Sequence, residues 1–115
     1  MGLEITIREV GEVTILDLKG RATIGLGNDI LNAKLRQVVD GGSKKLLINL
    51  AEMTQIDSSG ISSLVRTFVT LERSQGALKF LNPAGRVKEV LAVTRLLAAI
   101  PTFDAEPAAL AAFKS

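Results

Sequence analysis

A short apolar run near the middle of the chain limits the folds open to it most strongly. Residues Lys44–Leu50 read KKLLINL, and after the two lysines only Asn49 interrupts the apolar side chains. A strand that is buried on both faces has this pattern, and such strands are typical of parallel sheets covered by helices. The run therefore predicts a central strand in an α/β domain.

Two strands are predicted ahead of this run. Leu3, Ile5 and Ile7 alternate with polar residues, which indicates a half-buried strand, and Val13 to Lys19 reads as a second strand. Only Gly11-Glu12 separates the two segments, so we expect an antiparallel hairpin. A loop is predicted from Gly20 to Gly27.

The remaining elements alternate between helix and strand. Asn28 or Asp29 can cap a first helix that ends at Asp40-Gly41-Gly42. A helix also follows Asp57, with apolar residues at Ile61, Leu64, Val65, Phe68 and Leu71. Later segments predict a strand at Ala77–Asn82, a helix around Val87–Thr94, a short edge strand at Ile100–Phe103 and a terminal helix at Pro107–Phe113. The order is β-β-α-β-α-β-α-β-α, which predicts a mixed, mostly parallel sheet with right-handed crossovers after the hairpin.

Composition excludes several classes of site. The 115 residues contain no Cys and no His, which removes disulfides, thiolate metal sites and the Ser-His-Asp triad. We therefore expect no catalytic residue, no metal site and no cofactor bound by this chain. Hydrophobic residues make up 47% of the sequence, so residues 1–115 are long and apolar enough to form a single domain.

Charge and hydropathy bear on partners and location. The net charge is only +2 and Lys44-Lys45 is the one adjacent basic pair, so no nucleic-acid surface is predicted. No basic leader followed by an apolar run opens the sequence, and the most apolar segment, Val90–Ile100, is shorter than the roughly 20 residues that span a bilayer. We expect a cytoplasmic protein without membrane insertion.

The stretch QIDSSGISSLV, from Gln55 to Val65, carries the candidate site. Asp57 or Ser58 can cap the helix, Ser59 falls in its first turn, and Gly60 leaves room for another molecule near the backbone. A capping role alone is the commoner explanation for such residues. A helix N-terminus also tolerates an anion, so a phosphate on Ser59 would add about −1.5 to −2 charges without unfolding the helix.

The segment LLINLAEMTQIDSSGISSLVRTFVTLERSQGALKFLNPAGRVKEVLAVTRL resembles the central half of a STAS domain, in the style of the bacterial anti-sigma factor antagonists. The resemblance extends over almost the whole chain. It implies a mixed sheet with helices packed mainly on one face.

The resemblance also implies a function. Antagonists of this family bind an anti-sigma factor serine kinase, which phosphorylates the serine before the motif glycine using ATP and Mg²⁺, and a serine phosphatase resets the switch. Here that serine is Ser59, with Asp57, Ser58 and Gly60 as its loop. The chain would then be a ligand and substrate, not an enzyme.

We expect the partner to contact the polar face of the motif helix and the loop after the second strand. That loop reads GRATIGLGND here, where many antagonists carry an acidic residue. The expected partner-binding residues are Ser62, Ser63, Arg66, Arg21 and Thr23. The alternative is a constitutive STAS subunit of a lipid-transport or stress-signalling complex, in which Ser59 is only a cap or a contact.

Two enzyme-like or ligand-like interpretations are weaker. A serine hydrolase would need a base for Ser58 or Ser59, and no His and no nearby Lys is present. The GLGND segment has Ile30 where a dinucleotide fingerprint needs glycine, and no Gly-Lys-Ser/Thr phosphate loop occurs.

Overall fold

The computed structural model describes residues 2–114, in which helices and strands alternate after an opening hairpin. The strands are β1 (Leu3–Val10), β2 (Val13–Ala22), β3 (Lys45–Ile56), β4 (Ala77–Leu81) and β5 (Thr102–Phe103). The helices are α1 (Leu26–Asp40), α2 (Ser58–Arg73), α3 (Gly85–Val93), α4 (Leu96–Ala99) and α5 (Glu106–Ala112).

The five strands form one mixed sheet in the order β1-β2-β3-β4-β5. β1 pairs with β2 in the antiparallel direction, and each later pair of neighbours is parallel. The predicted α/β fold, with its N-terminal hairpin and mostly parallel sheet, is therefore confirmed.

Helices cover the two faces of the sheet unequally. Leu31 of α1, Leu64 of α2, Leu91 of α3 and Leu96 of α4 belong to one large apolar cluster with Leu16, Ile48 and other residues of one sheet face. A smaller cluster on the other face joins residues of α5 to the sheet through Val13, Ile15, Leu47, Leu81, Ala109 and Phe113. The predicted packing of helices mainly on one face is confirmed, and the central strand β3 contributes to both clusters.

An ion-pair cluster ties α5 to the sheet. Arg8 Nε donates to Asp17 Oδ2 at 2.6 Å and Arg8 Nη2 donates to Glu106 Oε1 at 2.7 Å, while Asn49 Nδ2 donates to Asp17 Oδ1 at 2.7 Å. The Arg8 guanidinium lowers the pKa of both carboxyls, with Asn49 assisting at Asp17. We call Arg8, Asp17, Asn49 and Glu106 the Arg8 cluster.

Strands β2 and β3 are longer than predicted. The expected ends at Lys19 and Leu50 were wrong, because β2 continues to Ala22 and β3 continues to Ile56. The register between them shifts twice, between Asp17 and Lys19 and between Gly20 and Arg21, and each shift inserts one extra residue in β3. Such bulges interrupt the alternation of buried and exposed side chains, which explains why the segment resembled a loop.

Helix α1 starts earlier than predicted. The expected cap at Asn28 or Asp29 was wrong, because the helix begins at Leu26 after Gly25 and makes no side-chain cap hydrogen bond. A Cβ on Gly27 would lie 2.3 Å from the carbonyl oxygen of Arg21. The helix can therefore start this close to the end of β2 only because residue 27 is glycine.

The C-terminal third differs from its prediction in one respect. Arg95 adopts a left-handed conformation with φ 66°, which separates α3 from the short helix α4 that the sequence did not indicate. The edge strand β5 and the terminal helix α5 are present, each close to its predicted range.

Candidate functional site

The serine motif lies where β3 ends and α2 begins, at the carboxyl edge of the parallel strands. Asp57 is the N-cap of α2, as predicted, with φ −118° and ψ −170°. Its Oδ1 atom accepts from the backbone N–H of Ser59 at 2.9 Å and from that of Gly60 at 3.4 Å. Ser58 is exposed at the first position of the helix.

The hydroxyl of Ser59 is half-buried and points back to the cap. Ser59 Oγ donates to Asp57 Oδ1 at 2.5 Å. The other carboxylate oxygen, Asp57 Oδ2, accepts from the backbone N–H of Ile24 at 2.8 Å. One carboxylate therefore joins three features: the start of α2, the Ser59 hydroxyl and the loop between β2 and α1.

These donors keep Asp57 ionised. The Ser59 hydroxyl is the largest influence lowering the pKa of Asp57, the backbone N–H groups of Ile24, Gly60 and Ser59 add to it, and partial burial opposes them. A carboxylate with a lowered pKa is a poor proton acceptor. The arrangement suits a hydroxyl that receives a group from another molecule better than a nucleophile activated within this chain.

Gly60 has a different role from the predicted one. We expected Gly60 to leave space for an approaching molecule, but it is buried, and a Cβ there would lie 2.6 Å from the carbonyl oxygen of Ala22 and 2.8 Å from Ile56 Cγ1. That expectation was wrong, because the missing side chain lets the first turn of α2 pack on the end of β2. Gly60 thereby fixes the position of Ser59.

Ser63 does not lie on the exposed face of α2. The prediction that it faces a partner was wrong, because its residue is 1% exposed and its hydroxyl donates to Asn28 Oδ1 at 2.9 Å and to the carbonyl oxygen of Ser59 at 3.2 Å. Helix α1 covers this side of α2. A hydroxyl there is accommodated because the preceding turn of its own helix accepts its proton.

Ser62 and Arg66 do lie on the exposed face of α2. Arg66 Nη2 donates to Asn32 Oδ1 of α1 at 3.2 Å and lies 3.5 Å from Ser63 Oγ. The guanidinium of Arg66 thus bridges the two helices at the surface, about two turns beyond the candidate serine.

The loop after β2 adds a feature that sequence reasoning missed. Arg21 near the end of β2 is exposed and Thr23 is half-buried, while Ile24 and Leu26, the first residue of α1, are 83% and 68% exposed. The Asp57 carboxylate holds the backbone of Ile24 beside the serine motif. In the sequence, Ile24 and Leu26 stand among glycines and polar residues in GRATIGLGND. That pattern could have indicated exposed apolar side chains next to the serine motif.

Two further features concern metal sites and membrane-spanning helices. Within residues 2–114, no group of three or more His, Cys, Asp or Glu side chains is placed to hold a metal ion. None of the helices in that range combines the length and the apolar character that crossing a bilayer requires.

Comparison with known proteins assigns the family. The STAS domain family matches residues 4–109, and the chain therefore belongs to that family. A relative from Bordetella bronchiseptica, named as the candidate anti-sigma factor antagonist BtrV, is 26% identical over 98% of this chain and 97% of its own length.

Solved structures share the fold. An antagonist candidate from Thermotoga maritima superposes with a TM-score of 0.90 at 20% identity, covering 96% of this chain and 95% of its own. The phosphorylated form of the Bacillus cell fate determinant SpoIIAA superposes with a TM-score of 0.73 at 19% identity, covering 93% and 96% of the two chains. The Ser59 region described above therefore lies on a scaffold that SpoIIAA also uses.

Proposed function

We propose that this STAS protein is an anti-sigma factor antagonist controlled by phosphorylation of Ser59. The unmodified chain binds an anti-sigma factor that is also a serine kinase, and so frees a sigma factor in the cytoplasm. The kinase transfers a phosphoryl group from Mg-ATP to Ser59, and the modified chain dissociates. A serine phosphatase reverses the step, and the chain itself holds no cofactor and performs no catalysis.

The observation that carries the proposal is the position of the Ser59 hydroxyl. It is half-buried in the first turn of a well-capped helix, and it contacts the ionised Asp57. A phosphate there gains from the dipole of α2 while Asp57 continues to cap the first N–H groups, so the helix remains folded. The same phosphate adds two negative charges beside Asp57, which penalises any partner surface that covers both groups.

The surroundings of Ser59 suit a docking face. Ser58 and Ser62 are exposed on α2, while Ile24 in the loop after β2 and Leu26 at the start of α1 expose apolar side chains. A centre of apolar anchors with polar groups around it is the usual composition of a protein interface. The Asp57 carboxylate contacts both the Ser59 hydroxyl and the backbone of Ile24, so a charge on Ser59 would act close to both groups of residues.

The relatives support this choice within the family. BtrV carries the name of an anti-sigma factor antagonist, and SpoIIAA is known in unphosphorylated and phosphorylated forms. This chain superposes on both SpoIIAA forms with a TM-score of 0.73. The similarity to both forms is in keeping with a modification that changes charge and leaves the fold intact.

The direct test uses the anti-sigma factor kinase of the same organism with Mg-ATP. We expect intact-mass analysis to show one added phosphoryl group on the parent chain, none on Ser59→Ala and one on the matched control Ser58→Ala. Both serines begin the same helix, so this pair separates the acceptor from a general effect on the loop. A phosphoryl group that remains on Ser59→Ala, or never appears on the parent, contradicts the proposal.

A binding experiment separates the switch from a constitutive subunit. We expect the parent chain and Ser59→Ala to capture the kinase, and Ser59→Asp to capture much less. Equal capture of transporter or stress-complex components by all three chains would instead favour the constitutive subunit.

A further inference from the structure

The outer edge of β1 is a long strand edge that faces no other strand within residues 2–114. β1 has eight residues, and in the described part of the chain it pairs only with β2. Its register with β2 is regular from Leu3 to Val10, without a bulge. The opposite edge of the sheet, β5, has two residues and follows Pro101.

The register identifies which backbone groups face outward. Val10 and Val13 flank the two-residue turn, and such a flanking pair is hydrogen-bonded in a hairpin. Hydrogen-bonded pairs with β2 then recur at every second residue of β1, that is at even-numbered residues. The hydrogen bond from the Arg21 N–H to the Gly2 carbonyl, at 3.2 Å, agrees with this alternation. The residues of β1 with outward-facing N–H and C=O groups are consequently Leu3, Ile5, Ile7 and Glu9.

Natural sheets normally protect such an edge. Short strands, prolines, bulges and lysines are the common means, because an open edge invites pairing with another strand. The sequence LEITIREV of β1 contains no proline and no lysine, and the strand is long and regular. The protein leaves open the one edge that a second strand can extend.

We propose that two copies of this chain pair through β1 in an antiparallel, two-fold symmetric manner, with Thr6 of one copy opposite Thr6 of the other. This register pairs Leu3 with Glu9 and Ile5 with Ile7 across the axis, so all four outward-facing residues form hydrogen-bonded pairs. Shifting the register by two residues in either direction leaves one of the four unpaired. The dimer would hold one continuous sheet of ten strands, five from each copy.

Side chains agree with the same register. On the face shared with the large apolar cluster, the half-buried Ile5 meets Ile7 of the second copy and both lose exposed area. On the other face, Glu4 lies opposite Arg8 of the second copy. The hydrogen bonds of Arg8 to Asp17 and Glu106 use its Nε–H, both Nη2 hydrogens and one Nη1 hydrogen, which leaves the other Nη1 hydrogen for Glu4 of the second copy.

Charged residues that face each other directly on this face have opposite signs. Within one copy, Glu4 lies opposite Lys19 of β2 in the strand register. In the other copy, Asp17 and Glu106 form ion pairs with Arg8. Thr6, at the axis itself, is neutral and exposed. No like charges stand directly opposite each other between the two strands, so the register carries no electrostatic penalty at facing positions.

The absence of cysteine from the chain makes the register directly testable. In Thr6→Cys, the two new thiols would face each other at a non-hydrogen-bonded pair, with Cα atoms about 4.5 Å apart, within the range of a disulfide. In the control Glu4→Cys, each thiol faces residue 8 and lies about 13 Å along the strand from its counterpart. We expect mild oxidation to cross-link most of Thr6→Cys and little of Glu4→Cys.

The unmodified protein gives the complementary measurement. We expect light scattering with size-exclusion chromatography to show twice the mass of one chain at high concentration. Thr6→Lys should reduce this to a monomer by placing two ammonium groups together at the axis, while the matched control Gln37→Lys on the exposed side of α1 should remain dimeric. A parent protein that stays monomeric, or equal cross-linking of Thr6→Cys and Glu4→Cys, overturns the proposal.

Discussion

Two groups of carboxylates in this protein are stabilised in different ways, and the difference bears on the switch proposed at Ser59. Asp57 accepts only from neutral donors, the Ser59 hydroxyl and three backbone N–H groups. Asp17 and Glu106 depend mainly on one cation, Arg8. All three carboxyl groups have lowered pKa values, but the physical causes are distinct.

The distinction determines what each region tolerates. Under the proposed switch, phosphorylation of Ser59 would remove one donor from Asp57 and leave the N–H groups of Ile24, Ser59 and Gly60 as its donors. The cap would then persist while the local charge changes. In the Arg8 cluster, loss of the single cation would leave two carboxylates near each other without a counter-charge. This region holds α5 on the sheet, and a change of its charge would weaken that attachment.

The largest expected effect concerns the packing of Gly60, next to Ser59, on the end of β2. Gly60→Ala forces a Cβ against the carbonyl of Ala22 and the side chain of Ile56. We expect a loss of about 3 kcal/mol in the free energy of unfolding, measured by urea denaturation. Ser62→Ala, an exposed change in the same turn, should stay within about 0.5 kcal/mol. Equal stabilities would show that packing does not fix the first turn of α2.

The second largest effect concerns the Arg8 cluster, whose carboxylates depend on one cation. Arg8→Ala removes the shared partner of Asp17 and Glu106, and we expect a loss of about 1.5 kcal/mol, since the side chains are partly exposed and water screens the remaining repulsion. Lys45→Ala breaks the exposed ion pair with Glu12 and should cost less than about 0.5 kcal/mol. If the two changes had similar effects, the Arg8 cluster would be an ordinary surface feature.

A smaller effect concerns Asp57, whose carboxylate accepts from neutral donors. Asp57→Asn keeps an oxygen that accepts from the N–H groups of α2 but turns an NH2 group toward the N–H of Ile24, so we expect a loss of about 1 kcal/mol, against about 1.5 kcal/mol for Asp57→Ala. Asp17→Asn should cost more than Asp57→Asn, because only Asp17 loses a charge that faces a guanidinium. The reverse order would remove the distinction between the two regions.

The smallest effect is the dependence of stability on pH. The pKa values of Asp17, Asp57 and Glu106 are lowered in the folded state, so the unfolded chain binds more protons than the folded one near pH 4. Stability from these groups is present above pH 4 and is lost as the pH falls through the lowered values. We expect urea midpoints to fall steadily below pH 4, less steeply for Asp17→Asn. A midpoint that does not change on acidification contradicts these assignments.

Sequence reasoning predicted the fold well where burial follows a simple period. The hairpin, the two-sided strand β3 and the cap at Asp57 all follow from local patterns. The extension of β3 to Ile56 was missed, because two bulges give buried residues at Leu50, Met53 and Ile56 a spacing that fits neither a strand nor a helix.

The errors at the site come from contacts between distant segments. Gly60 and Gly27 are explained only by the carbonyl groups of β2 that approach them, and the burial of Ser63 depends on helix α1. A polar residue on a helix gives no local sign that a second helix covers it. The backbone of Ile24 is likewise held by a hydrogen bond to Asp57, 33 residues away.

The most direct test of the switch places phosphoserine at position 59 during translation and compares it with the unmodified chain. We predict that the Kd for the anti-sigma factor kinase rises on the order of 100-fold, while the thermal midpoint and the amide spectrum away from α2 stay the same. Unchanged affinity, or a phosphorylated chain that loses its fold, would contradict the account.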